Sequence, residues 1–318
     1  MNREIPIICN PVAGGFSKPI LEKTLQSLRK RGFSPQVNYT ERRGDGERIA
    51  RAIAAKLSAS GGNAVPVIAA GGDGTYNEVA QGLAYTSVPM AILPLGTTSV
   101  LAREIGIGTD VEKAIDLAVS GLSRTVHMGR LTDGSGTSRY FLLMAGIGFD
   151  GEAVARVGST AKRRLGKLAY VLSGLRTLAG YRPGLLDIRA SGVQSIPGKG
   201  KVASLPEGGQ ESLVLGGYAV IAGKSGYYGG DFRITPDAAL GDPGLYVFIT
   251  QSGGRIALLR YASAIVLGKH LMLRDIRYFR AERLSVSGTA AVQVDGDPAG
   301  ATPVHIDVAP GALRLACW

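Results

Sequence analysis

The sequence predicts an α/β domain built on a parallel sheet, followed by a mainly antiparallel β domain. Three observations predict it. Up to about Thr125 strand-like and helix-like patterns alternate, which is the signature of a parallel sheet covered on both faces. Three of the strands in that region run into glycine-bearing loops. Beyond Thr125 the pattern changes to short strands separated by turns.

The first half reads in order. Ile5 to Cys9 is an apolar run of strand length. Lys18 to Arg31 has helical spacing, with Ile20, Leu21, Leu25 and Leu28 on one side. Pro35 to Tyr39 is a second strand, and Asp45 to Leu57 a second helix with Ile49, Ile53 and Leu57 in register. Val65 to Ala69 and Tyr76 to Ala84 form a third strand and helix. Met90 to Pro94 is a fourth strand, and Val100 to Ile105 starts a fourth helix. Ligands of such sheets bind at the carboxyl ends of the strands.

The second half reads as strands at Arg139 to Ala145, Leu185 to Ala190, Leu213 to Ala222, Gly244 to Thr250, Arg283 to Ser287 and Ala291 to Asp295. A sandwich or a partial barrel satisfies that pattern. A helical insertion is expected from Val154 to Leu178 and a further helix from Gly254 to Leu267. Ser191 to Gln210 is rich in Gly, Ser, Pro and Lys and reads as a loop. The domains are therefore placed at 1–126 and 127–318.

The chain has 318 residues, enough for two domains. Hydrophobic residues at 45% and charged residues at 19% exclude a disordered polymer. Lys and Arg exceed Asp and Glu by 36 to 25, a net charge of +11 that favours anionic partners without choosing among them. Two cysteines, Cys9 and Cys317, make a disulfide framework implausible and fit a reducing cytoplasm. No stretch reaches the length of a membrane-spanning helix, so any membrane contact is expected to be peripheral. The three histidines, His127, His270 and His305, show no metal-ligand spacing.

Gly71-Gly72-Asp73-Gly74-Thr75 stands between a predicted strand and a predicted helix. Glycines let a backbone approach a ligand, and the amides at the helix start attract an anion. Asp73 repels phosphate unless a metal ion or a sugar hydroxyl lies between them. The plainer alternative is a strand-to-helix turn with Asp73 or Thr75 as N-cap. Asn10-Pro11-Val12-Ala13-Gly14-Gly15 and Pro94-Leu95-Gly96-Thr97-Thr98 follow two other strands, so folding can bring all three loops to one edge. No Walker or dinucleotide fingerprint is present.

Six stretches together resemble the diacylglycerol kinase and sphingosine kinase catalytic family, of the bacterial lipid kinase type. They are NPVAGG at 10–15, GGDGTYNEVAQGL at 71–83, PLGTTSVLAREIG at 94–106, GIGFDGEAV at 146–154, YYGGDFRITPDAALGDPGL at 227–245 and VDGD at 294–297. The resemblance implies an N-terminal nucleotide-binding domain, a C-terminal antiparallel β-sandwich and an active site between them. It implies transfer of a phosphoryl group from ATP, with Mg²⁺, to the hydroxyl of diacylglycerol or of a sphingoid or ceramide-type lipid. Asn10, Thr40, Gly72, Asp73, Gly74, Thr75, Glu78 and Thr98 match nucleotide-binding positions. Asp295 matches a general base for the substrate hydroxyl. Read without the resemblance, Asp295-Gly296-Asp297 is a hairpin turn. Asp242 and Leu245 match a structural Mg²⁺ site. NAD kinases share the glycine loop, so an NAD kinase-like enzyme and a non-catalytic nucleotide-binding protein are the alternatives.

The chain departs from the family pattern at four positions. Ser99 replaces Asn, His127 replaces Asp, Pro243 replaces the second Asp of an Asp-Asp-Gly-Leu loop, and Asp297 replaces Glu. The expectation is an active enzyme with altered metal support. Arg156, Lys162, Arg163, Arg164, Lys167, Arg176 and Arg182 interleave with apolar residues in the insertion near 154–182. Such a helix suits an anionic bilayer surface, or else packs on the β domain with its charges solvated. The expected partners are a lipid substrate and a membrane surface reached from the cytoplasm. Nucleic acid is not expected, and a homodimer is allowed.

Overall fold

The computed structural model describes residues 3–59, 65–156, 183–196, 198 and 210–317. The chain divides into two compact units, Met1–His127 with Pro310–Trp318, and Met128–Ala309. The expected boundary at 126/127 lies one residue from the first crossing. The last nine residues, expected in the second domain, return to the first. The cause is strand pairing, since Leu315 lies opposite Met90 and the Ala316 amide donates to the Met90 carbonyl at 2.8 Å.

In the first unit β1 (Arg3–Cys9) pairs in parallel with β2 (Phe33–Tyr39) and with β3 (Val67–Gly71), and β3 pairs in parallel with β4 (Met90–Pro94). Strands β3 and β4 are buried along their whole length, as expected for a sheet covered on both faces. Helix α1 (Lys18–Lys30) starts at Ser17, whose hydroxyl accepts from the Ile20 amide at 3.3 Å. It buries Leu21, Thr24 and Leu28, while Ile20 faces outward.

Helix α2 (Asp45–Ala59) turns the small residues Gly46, Ala50 and Ala54 inward instead of Ile49, Ile53 and Leu57. The reason lies in α3 (Asp73–Leu83), because a Cβ on Gly82 would lie 2.7 Å from the Ala50 Cβ. Only small residues allow two helices that close. Short α4 (Val100–Glu104) follows β4, and α5 (Val111–Val119), capped by Asp110 onto the Lys113 amide, completes the unit.

Strand β5 (Arg124–Asp133) leads into the second unit, where β6 (Ser138–Phe141) pairs with it. One antiparallel sheet contains β7 (Met144–Ile147), β10 (Ala219–Gly223), β13 (Leu245–Thr250), β14 (Ile276–Ala281), β16 (Ala291–Val294) and β17 (Asp297–Ala301), in the order β14-β13-β10-β7-β16-β17. Opposite it, β9 (Gln210–Gly217), β8 (Leu186–Val193), β15 (Arg283–Ser287) and the first half of β18 (Val304–Leu315) pair in that order. Apolar side chains from both sheets, including Ile147, Ile188, Val220, Val247, Phe279, Leu284, Val292 and Ile306, form one buried core. This is the expected sandwich.

Helix α6 (Phe149–Arg156) begins within the expected insertion, whose residues 157–182 lie outside the described residues. The hairpin β11 (Tyr227–Tyr228) and β12 (Phe232–Arg233) follows β10. Helix α7 (Arg255–Val266) covers the outer face of the first sheet through Tyr261, which packs with Met144, Ile221, Phe248 and Ile276. The single strand expected at Arg139 to Ala145 is two strands. The break falls at Leu142 and Leu143, whose amides are claimed by a distant carboxylate.

Candidate active site

The three glycine loops of the first unit meet. A Cβ on Gly96 would lie 2.7 Å from the Gly72 α-carbon, and one on Gly14 would lie 2.6 Å from the Thr97 Cγ2. The Gly15 amide donates to the Leu95 carbonyl and the Leu95 amide to the Gly71 carbonyl, both at 2.9 Å. Asn10 ties the first loop to the second, its Nδ2 donating to the Thr75 Oγ1 at 3.3 Å and its backbone amide to the Ala70 carbonyl at 2.9 Å. Thr98 sits half-buried in the third loop. Thr40 follows β2 beside the end of β1, its amide donating to the Cys9 carbonyl at 2.9 Å and the residue buried.

Helix α3 starts at Gly72 with no side-chain cap, and a Cβ on Gly74 would meet open space. An uncapped helix start lined by glycine is a site for an anion. Neither plain turn assignment holds, because the N-cap is Gly72 rather than Asp73 or Thr75. Asp73 instead caps a different helix. Its Oδ2 accepts from the Val100 amide at 2.9 Å and its Oδ1 from the Leu101 amide at 3.0 Å, which fixes the start of α4. Ser99, just before those amides, has φ +40°, a left-handed conformation that Asn, the family residue, adopts more readily.

Glu78 also faces backbone. Its Oε1 accepts from the Gly44 amide at 2.9 Å and its Oε2 from the Gly46 amide at 3.0 Å, anchoring the loop that opens α2. Its position is one step removed from the glycine loops. Asp45, the first residue of α2, accepts from the Glu41 and Arg42 amides and from Arg48, in that order of effect, which lowers its carboxyl to about 2.

In the second unit Asp295 is buried with φ +49°. Its Oδ2 accepts from the Leu142 amide at 2.8 Å, and its Oδ1 from the Leu143 and Met144 amides at 2.9 and 3.0 Å. Next to it, the Gly296 amide donates to the Gln293 Oε1 at 2.7 Å, and the Gln293 Nε2 donates to the Asp150 Oδ2 at 2.5 Å. The Tyr228 hydroxyl donates to the Asp150 Oδ1. Burial pushes the Asp150 carboxyl up, and these two hydrogen bonds oppose it. Two of the sequence stretches quoted above, 146–154 and 227–245, thus meet at one carboxyl group, and Gln293 links it to Gly296 in a third, 294–297. Asp297 forms an ion pair with Arg139 at 3.2 Å.

Asp242 and Leu245 were expected to hold a metal. The Asp242 carboxylate is gripped by Arg280, whose Nη2 lies 2.7 Å from Oδ1 and whose Nε lies 3.1 and 3.2 Å from the two oxygens. The Tyr246 hydroxyl donates to its Oδ2 at 2.7 Å. Burial raises the Asp242 carboxyl, but these partners outweigh it and hold it at about 2. Lys224, fully buried, donates from Nζ to the carbonyls of Ala239, Asp242 and Gly244. Burial pushes its ammonium down to about 8 against the pull of Asp242. His127 accepts from the Gly311 amide through Nδ1 at 3.0 Å, and His270 is buried against the Ile234 carbonyl. Both serve packing.

The three glycine loops expected to converge do meet, and Asp295, expected as a general base, is buried and held by three amides. Sequence reasoning gave no role to Asp150, Gln293 or Lys224, and it left Tyr228 open between lining a cleft and serving as a strand residue. Asp150 and Tyr228 stood inside quoted stretches, so an acid next to GIGF was the available signal. Lys224 lay outside all of them.

Comparison with known proteins gives a separate family match to each of the two units. A family model described as the diacylglycerol kinase catalytic domain matches residues 4–131, and one described as the YegS C-terminal NAD kinase beta sandwich-like domain matches residues 144–317. A protein of Mycobacterium tuberculosis named diacylglycerol kinase is 31% identical over 318 residues, covering 98% of this chain and 94% of the relative. One of the same name from Bacillus subtilis is 30% identical over 303 residues, covering 93% and 90%. A crystal structure of a diacylglycerol kinase from Bacillus anthracis superposes with a TM-score of 0.70 over 100% of this chain and 97% of that one. At 22% identity it shares the fold.

Proposed function

Because the chain belongs to the diacylglycerol kinase catalytic family, we propose that it transfers the γ-phosphoryl group of ATP to a hydroxyl of diacylglycerol or of a sphingoid or ceramide-type lipid. The observation that carries this is the contact of Gly72 with Gly96 at the uncapped start of α3. It opens backbone amides to a polyphosphate where a side chain would block them. Asn10, Gly72, Gly74, Thr75 and Thr98 bind the phosphates, and Thr40 lies towards the nucleoside. Asp73 and Glu78 act at one remove, by fixing α4 and the loop before α2. ATP arrives as its Mg²⁺ complex, so the ion offsets phosphate charge during transfer.

Asp295 accepts the hydroxyl proton. An alcohol is a weak nucleophile, and a positioned carboxylate contributes by taking its proton as phosphoryl transfer proceeds. The three amides from Leu142 to Met144 keep that carboxylate in one place.

The lipid is collected from an anionic bilayer by an enzyme working in the cytoplasm, where ATP is held. Among the described residues no helix is long and apolar enough to cross a membrane. Helix α7 supports surface binding. Ile256, Leu259 and Val266 are exposed on it, followed by exposed Leu267 and Met272. From Ser252 to Arg274 there is no acidic residue, and Arg255, Lys269 and Arg274 are exposed. An apolar face flanked by cations fits anionic headgroups over acyl chains.

The test is transfer of radiolabel from γ-labelled ATP into a total lipid extract, with NAD as a parallel acceptor. A labelled lipid supports the proposal. Label in NAD without lipid supports the NAD kinase-like alternative, to which the name of the second-unit match points.

A further inference from the structure

We infer that Lys224 is the resident cation of the loop at 239–244, and that this loop takes no divalent metal ion. The inference goes beyond the proposed reaction and holds whichever lipid is phosphorylated. Carbonyl oxygens converging on one point beside a carboxylate form the kind of oxygen cage that hard divalent ions take. Here the cage is complete without one. The carbonyls of Ala239, Asp242 and Gly244 meet at the Lys224 Nζ, at 3.4 Å for Ala239 and 3.1 Å for Gly244. An ammonium has three donors and no acceptor, and three carbonyls receive them.

The Lys224 main chain is held as well. The Lys224 amide donates to the Leu143 carbonyl at 2.8 Å, next to the amides that bind Asp295. The remaining ligand a metal would need is taken by a second cation. The Arg280 fork and the Tyr246 hydroxyl occupy the Asp242 carboxylate. Gly244 permits this, because a Cβ there would run into the guanidinium. Leu245, the other expected ligand, sits opposite Ala281 in the β13–β14 ladder. Among the described residues no group of three or more His, Cys, Asp or Glu side chains could hold a metal. A divalent ion placed here would face two fixed positive charges and one carboxylate.

The test uses the full chain without nucleotide, so that an ion carried by ATP is not read. Thermal unfolding is followed in chelator and in millimolar Mg²⁺ or Ca²⁺, and the purified protein is analysed for metal content. The wild-type melting temperature is expected to be the same in all three, with far less than one metal per chain. Lys224→Met, which keeps the length and removes the charge, is expected to melt several degrees lower in chelator and in Mg²⁺ alike. A wild-type melting point that falls in chelator, one bound metal per chain, or a Lys224→Met variant as stable as wild type would overturn the inference. The wild-type measurements stand even if the variant does not fold.

Discussion

Gly72 and Gly96 meet backbone against backbone, so that a Cβ on Gly96 would lie 2.7 Å from the Gly72 α-carbon. Gly96→Ala must therefore separate two loops that are proposed to receive the nucleotide together. Overpacking of this kind costs about 1–3 kcal/mol. We expect a lower melting temperature and at least tenfold weaker ATP binding by calorimetry. Gly74→Ala is the contrast. Its Cβ meets open space, and alanine favours a helix over glycine by about 0.5–1 kcal/mol. Stability should hold or rise in that variant while ATP binding weakens.

Asp73 separates a cap from a metal ligand. Its two oxygens each accept a backbone amide at the start of α4. Loss of a cap costs about 1 kcal/mol, within a range of about 0.5–2. Asp73→Ala, and Asp73→Asn with one acceptor fewer, should both lower stability without nucleotide or metal present. Unchanged denaturation curves for both variants would show that the carboxylate acts only on ligand.

Asp45 should contribute to the acid dependence of stability. Its carboxyl is lowered from 3.8 to about 2 by the Glu41 and Arg42 amides and by Arg48. A depressed carboxyl contributes stability that is fully present above the unfolded value and is lost as pH falls through the folded one. The stability difference between wild type and Asp45→Asn should thus be constant above about pH 4 and shrink between about pH 4 and pH 2. Urea titrations across that window check it.

Surface binding can be tested without touching the site. Ile256 is 85% exposed and Leu259 50% exposed on α7. Replacing both with Glu should leave stability within about 0.5 kcal/mol per site, as for other surface changes. Sedimentation with anionic vesicles should fall severalfold. Binding equal to wild type would remove α7 from the membrane contact.

The parts of this molecule legible in its sequence are those that local chemistry decides. Strand β4 and the glycine loops were readable because apolar runs and glycines act within a few residues. The use of Asp73 and Glu78 was not, because their amides lie 27–28 and 32–34 positions away. The break between β6 and β7 was also hidden, since Leu142 and Leu143 look like strand residues until Asp295 claims their amides. Likewise the register of Ile49, Ile53 and Leu57 in α2 gave no sign that close approach to Gly82 buries Ala50 and Ala54. The return of Leu315 to Met90 is a long-range pairing that no local pattern records.

The most direct test compares wild type with Asp295→Asn for phosphoryl transfer to diacylglycerol in mixed micelles, alongside ATP affinity for both. Asn offers one acceptor where three amides point, so stability should fall by about 1–3 kcal/mol. Wild type should label the lipid, and the variant should bind ATP while losing at least about 100-fold in turnover, the scale of a lost general base. Turnover by Asp295→Asn at the wild-type rate would contradict the account.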